Sequence, residues 1–183
     1  MEEFYLQSNG AGRLHCGLWA PEAPARAVVQ IVHGIAEHIG RYDDFACFLN
    51  AHGFAVAADD HMGHGLSVSE GMPYGYFFGG WMAAVADEKR LHDEMAARYP
   101  SLPYVFLGHS MGSFLLRTYL YTYPDALDAA IISGTGWQPQ AALRAGLRDV
   151  SLRLYPEGRH EMLNEVNHKE VYGDILAWLE KLM

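Results

Sequence analysis

The chain has 183 residues, 50% of them apolar and 19% charged, which excludes a disordered polymer. Thirteen Lys and Arg stand against 22 Asp and Glu, a formal charge of −9 with histidine neutral. An acidic chain without a basic run is a poor partner for nucleic acid. In chain order, Glu3 to Gln7 and Leu14 to Trp19 read as two strands, and the turn-forming Ser8-Asn9-Gly10-Ala11-Gly12 between them predicts a hairpin. Pro21 and Pro24 mark a loop. The apolar run Ala27 to Val32 (AVVQIV) fits a strand buried on both faces of a parallel sheet. A helix is expected from Tyr42 to Ala51, stopped by Gly53, and Phe54 to Ala58 is the next strand. Ser67 to Gly80 has no period and reads as a long loop. Trp81 to Tyr99 is helix up to Pro100, Tyr104 to Leu107 strand, Met111 to Tyr121 helix and Ala129 to Ser133 strand. Pro139 to Leu147 predicts a short helix, and Val150 to Tyr155 alternates as a strand. Val171, Ile175, Trp178, Leu179 and Leu182 recur at helical spacing and predict a final amphipathic helix.

Strands alternating with helices predict an α/β fold, a mostly parallel sheet with helices on both faces and an N-terminal antiparallel hairpin. One domain is expected over residues 1–183. No apolar stretch reaches the ~20 residues of a membrane span, and MEEFYLQSNG is too polar for a secretory signal, so a cytoplasmic location is expected. The two cysteines, Cys16 and Cys47, form no CxxC pair, which argues against a zinc ribbon or a disulfide scaffold.

In parallel sheets, function gathers at the carboxyl ends of the strands. There lies Gly108-His109-Ser110-Met111-Gly112, a G-x-S-x-G pattern placed between the strand YVFL and the helix SFLLRTYLY. A sharp strand-to-helix turn lifts the Ser110 hydroxyl out of the sheet, and the crowded flanks require glycine. A serine hydroxyl needs a general base. Among ten histidines, His160 is the best placed, in PEGRHEM after the last predicted strand. His109 is expected to point away from the turn. The backbone N–H groups of Met111, at the helix start, and of Ile35, in the loop after AVVQIV, are the expected oxyanion donors. A histidine base predicts a rate that falls as the medium is acidified.

These segments resemble the monoglyceride lipase and lysophospholipase branch of the α/β-hydrolases. The resemblance rests on VHGIAEHIGRYDDFACFLNAHGFAVAADDHMGHGLS, LGHSMGSFLLRTYLYTYP and LRLYPEGRHEMLNE with the helix that follows. It implies a serine hydrolase of carboxylic esters with an acyl or glyceryl-lipid part and no cofactor.

The chain departs from that pattern in one place. The family carries a helical cap, then a strand ending in the triad aspartate, before the histidine strand. Here only Trp137 to Asp149 lies between the blocks, too little for both. The cap region is therefore expected to be missing between about 137 and 149. The triad acid stays unassigned. Asp128 and Asp149 precede strands, Glu157 and Glu161 have no motif, and Asp59 and Asp60 lie in a structural region of the family. If Val150 to Tyr155 pairs directly with Ala129 to Ser133, His160 moves by about one strand spacing, ~4.8 Å. An open cleft without a cap leaves apolar residues free for self-association, and the aromatic loop Tyr74, Tyr76, Phe77, Phe78 and Trp81 could partly roof it. Two other readings remain: a catalytically impaired hydrolase relic acting as a binding or assembly module, and a metal site at Asp59, Asp60, His61 and His64. The glycine-rich DDHMGHG run is better explained as a structural turn, so no metal is expected.

Overall fold

A computed structural model describes residues 1–68, 70–136, 150–156 and 158–183. Among the described residues, six strands form one sheet: β1 (Glu2–Gln7), β2 (Arg13–Trp19), β3 (Ala27–Val32), β4 (Phe54–Asp59), β5 (Tyr104–His109) and β6 (Ala129–Ser133). Their spatial order is β1-β2-β4-β3-β5-β6. The hairpin β1–β2 is antiparallel, β2 joins β4 antiparallel, and β4, β3, β5 and β6 run parallel. The α/β fold expected from the alternation of elements is the fold observed.

Among the described residues, four α-helices cover the sheet: α1 (Asp43–Ala51), α2 (Trp81–Arg98), α3 (Met111–Thr122) and α4 (His168–Leu179). The pleat divides each central strand between two cores. Val29 and Ile31 of β3, with Val105 and Leu107 of β5, pack on Phe45 and Leu49 of α1 and Val171 and Leu179 of α4. Val28 and Val32, with Tyr104 and Phe106, pack on Leu91 and Met95 of α2 and Leu115 and Tyr119 of α3. Every residue of β3, β4 and β5 is buried, which is why AVVQIV carries no solvent-facing alternation. Cys16, on β2, is buried opposite Asp59, whereas Cys47 on α1 is exposed.

One expected strand does not form. Val150 to Tyr155 has no regular secondary structure and no strand partner among the described residues. Arg153 pairs with Asp174 at 2.8 Å and the Tyr155 hydroxyl donates to the same carboxylate at 2.8 Å, which lays the segment along α4. The alternate residues Val150, Leu152 and Leu154 face solvent, 53%, 84% and 80% exposed. Ser151 and Arg153 are exposed as well, so the expected alternation of faces is not realised; Tyr155 alone of these six is half-buried, against α4. The predicted helix Pro139–Leu147 and the expected loss of the cap between about 137 and 149 fall outside the described residues. Among the described residues, no helix is long and apolar enough to cross a membrane.

Candidate active site

Ser110 sits between β5 and α3 with φ 52° and ψ −116°, a backbone conformation that costs of order 1–3 kcal/mol for a residue with a side chain. Its neighbours make that turn possible. A Cβ on Gly112 would lie 2.0 Å from the Val32 carbonyl oxygen, and one on Gly108 would lie 2.7 Å from the Gly112 carbonyl oxygen. Both positions therefore exclude any side chain, and β3, β5 and α3 close against one another there. The Ser110 N–H donates to the Ser133 carbonyl at 3.0 Å, and the Ser113 N–H donates back to the Ser110 carbonyl at 3.0 Å. The turn is thus tied on both sides while the hydroxyl stays half-exposed.

His160 reaches this hydroxyl. Its Nε2 lies 2.8 Å from Ser110 Oγ. The strand expected to displace it does not form among the described residues, and the imidazole stays within hydrogen-bond reach of the hydroxyl. The loop bearing His160 is held by side chains instead. Leu163 is buried in the core, the Tyr172 hydroxyl donates to the Leu163 carbonyl at 3.1 Å, and Arg41 pairs with Glu161.

The loop after β3 closes the other side. Glu37 Oε2 accepts the Gly34 N–H at 2.7 Å and the Tyr42 hydroxyl at 2.9 Å, and Ala36 has φ 59°. A Cβ on Gly34 would sit 3.1 Å from Ser110 Cβ, so this turn abuts the serine. The N–H groups of Gly34 and Ser110 are taken. Among the described residues, those of Ile35 and Met111 have no protein acceptor.

A cleft of about 260 Å³ results, lined by Gly34, Ile35, Glu37, Arg41, His109, Ser110, His160 and Glu161 among others. Sequence reasoning singled out Ser110, His160, Ile35 and Met111. It missed Glu37 and Arg41, and it pointed His109 away. The His109 ring instead lies 5.1 Å from that of His160, with Nε2 3.9 Å from Glu37 Oε1. Burial lowers the His109 pKa, against the opposing pull of Glu37. The i, i+4 spacing of Glu37 and Arg41 was the available signal; their side chains approach to 3.5 Å. A larger hollow of about 540 Å³ lies between the hairpin and α2, lined by charged residues and remote from Ser110.

Among the described residues, no carboxylate pairs with His160. Asp128 accepts the Tyr104 N–H at the opening of β5, the wrong end of the sheet. Asp60 accepts from the Ile39 and Leu66 N–H groups, both at 2.8 Å, and lies 2.9 Å from His15 Nδ1. Glu161 faces Arg41. Asp149 and Glu157 lie outside the described residues. The four-residue metal set is also divided: Asp60 turns to His15, and His64 Nδ1 faces the Met62 carbonyl at 3.3 Å. Asp59 and His61 meet Glu88 of α2 in a fully buried group. None of the five aromatic-loop residues lines the Ser110 cleft. Phe77 packs on His64 and Trp81, and Tyr74 is exposed.

The family model described as "Serine aminopeptidase, S33" matches residues 23–144, more than half of the chain. The chain belongs to this family of α/β-hydrolases. It is similar to the monoacylglycerol lipase of Mycolicibacterium smegmatis, 36% identical over 125 residues, which are 68% of this chain and 43% of that one. It is also 39% identical to the human monoglyceride lipase over 99 residues, 54% of this chain and 31% of that one. The chain therefore spans less than half the length of these S33-like relatives. Among solved structures, a thermostable carboxyl esterase from Bacillus coagulans superposes with a TM-score of 0.70 at 33% identity, covering 100% of this chain and 55% of that one.

Proposed function

We propose that this S33-family chain is a serine hydrolase of carboxylic esters, of acylglycerol or lysophospholipid type, working through an acyl-enzyme on Ser110. The observation that carries the reading is the 2.8 Å approach of His160 Nε2 to Ser110 Oγ at a strained elbow. In this reading Ser110 Oγ attacks the ester carbonyl carbon while its proton passes to His160 Nε2. The Ile35 and Met111 N–H groups hold the oxyanion of the tetrahedral intermediate. Collapse expels the alcohol, which leaves with the proton from His160. Water then attacks the acyl-enzyme with His160 again as base, and the acid departs as Ser110 recovers its proton. No cofactor enters these steps. The lipid-type substrate class is supported by the names of the relatives above.

A second reading is favoured by one observation, the lack of a described carboxylate behind His160: a hydrolase relic that binds without turning over. A triad without its acid retains part of its rate through the oxyanion hole and the remaining pair. A fluorophosphonate probe read by intact mass separates the two readings. Stoichiometric labelling of the wild type that is lost in Ser110→Ala is the expected result. A folded wild type that stays unlabelled favours the relic.

A further inference from the structure

His33 is the last buried residue before the Gly34-Ile35 turn; His64 meets its ring edge-on at 5.3 Å, and His61 grips it by both backbone and ring. The His61 backbone N–H donates to His33 Nε2 at 3.0 Å. His61 Nε2 lies 3.1 Å from the His33 carbonyl oxygen, and the two rings stack with centroids 3.9 Å apart. A carbonyl oxygen only accepts, so His61 Nε2 carries hydrogen. By the same rule His33 Nδ1, 2.6 Å from the Gly34 carbonyl, carries hydrogen and leaves His33 Nε2 as the acceptor of the His61 N–H. His33 is thereby the neutral imidazole, in accord with the burial that drives its pKa well down.

The other edge of the His61 ring is wedged. Its Nδ1 lies 3.3 Å from Asp59 Oδ2 and 3.2 Å from Glu88 Oε1, and all three residues are buried. A bare nitrogen lone pair against two carboxyl groups would repel both, so a proton bridges them. Burial opposes a charge on His61, but Asp59 and Glu88 outweigh it and raise its pKa; burial and Asp59 push Glu88 up to about 8. Glu88 is fixed in turn. Its Oε2 and backbone carbonyl accept from Gln30 Nε2 at 2.7 and 3.1 Å, and Gln30 Oε1 accepts the Tyr104 hydroxyl at 2.6 Å. The ring of His61 is therefore anchored to β3, β4, β5 and α2 together.

We propose that His61 is a positioning residue for the oxyanion turn, holding His33 by backbone and ring while Asp59 and Glu88 lock that ring, so that the Ile35 N–H keeps its aim beside Ser110. The proposal rests on the ester-hydrolase reading above. His61 touches no substrate and acts only through His33. A misaimed oxyanion donor weakens the transition state and leaves ground-state binding alone.

The test compares His61→Gln and Glu88→Gln with the wild type on a short-chain ester and on a trifluoromethyl ketone, which binds as an oxyanion adduct. For His61→Gln the expected result is a kcat about 10- to 100-fold lower, a ketone affinity reduced by a similar factor, and an unchanged KM. Glu88→Gln preserves shape and the Gln30 contact, and about a 3- to 10-fold loss in the same direction is expected. It decides the matter if His61→Gln does not fold. Folded variants with wild-type kcat and ketone affinity overturn the proposal, as does a kcat loss that leaves ketone affinity intact. A wild type that fluorophosphonate does not label sinks the ester-hydrolase reading instead. The Ile35 amide resonance then decides the positioning role: a shift in Glu88→Gln supports it, and an unmoved resonance overturns it.

Discussion

Ser110 and His160 reach the same cleft by different means. Ser110 is held by backbone: a positive φ, two positions that admit only glycine, and main-chain hydrogen bonds to β6 and α3. His160 is held by side chains of a loop without regular structure, through Leu163, Tyr172 and the Arg41–Glu161 pair. Backbone sterics leave the serine one position. The histidine depends instead on individual side-chain contacts, each open to removal by a single substitution.

This contrast can be broken from either side. The largest effect is expected from Gly112→Ala, whose Cβ would enter the Val32 and His33 carbonyl oxygens at 2.0 and 2.5 Å. A loss of roughly 3 kcal/mol or more should appear in urea unfolding, with fluorophosphonate labelling lost alongside it. Leu163→Ala should cost about 2–3 kcal/mol in the same assay. Its diagnostic outcome is a labelling rate about tenfold lower in molecules that remain folded, because the loop loses its anchor and Ser110 does not. Equal loss of labelling and of folded fraction would erase the distinction between the two regions. Glu161→Gln should have the smallest effect. Both partners of its ion pair are partly exposed, so about 0.2–1 kcal/mol is at stake, or at most about a fivefold fall in labelling rate. Wild type in high salt should approach the variant, since screening weakens the same pair.

The same divide explains what the sequence made legible. Elements through Ser133 follow from local signals: buried β-branched runs, the helix period and glycine stops. The elbow was readable because its chemistry lies within five consecutive residues, Gly108 to Gly112. Val150 to Tyr155 shows where the pattern stops informing. Alternation suggests a strand, but a strand also needs a neighbour, and the side-chain contacts of this segment go to Asp174 of α4 instead. Glu88 was hidden for a related reason. In ADEKR on a helix, an acid reads as a solvated face, and only the close packing of α2 on β3 and β4 buries it against Gln30 and His61. The geometry of His160 depends on contacts 50 and 120 residues apart in sequence, to Ser110 and from Arg41 to Glu161, which no local pattern records.

The two thiols turn the fold into its own reporter. Cys16 is sealed inside the sheet beside Asp59, and burial together with that acid and Glu88 keeps its thiolate from forming; Cys47 stands at the surface. A thiol reagent should therefore count one sulfur in the native molecule and two in an opened one. The rate at which the second is consumed measures how often the core around Cys16 opens. Sulfur chemistry at a site remote from the cleft would thus read the breathing of the sheet that carries it, with no label added.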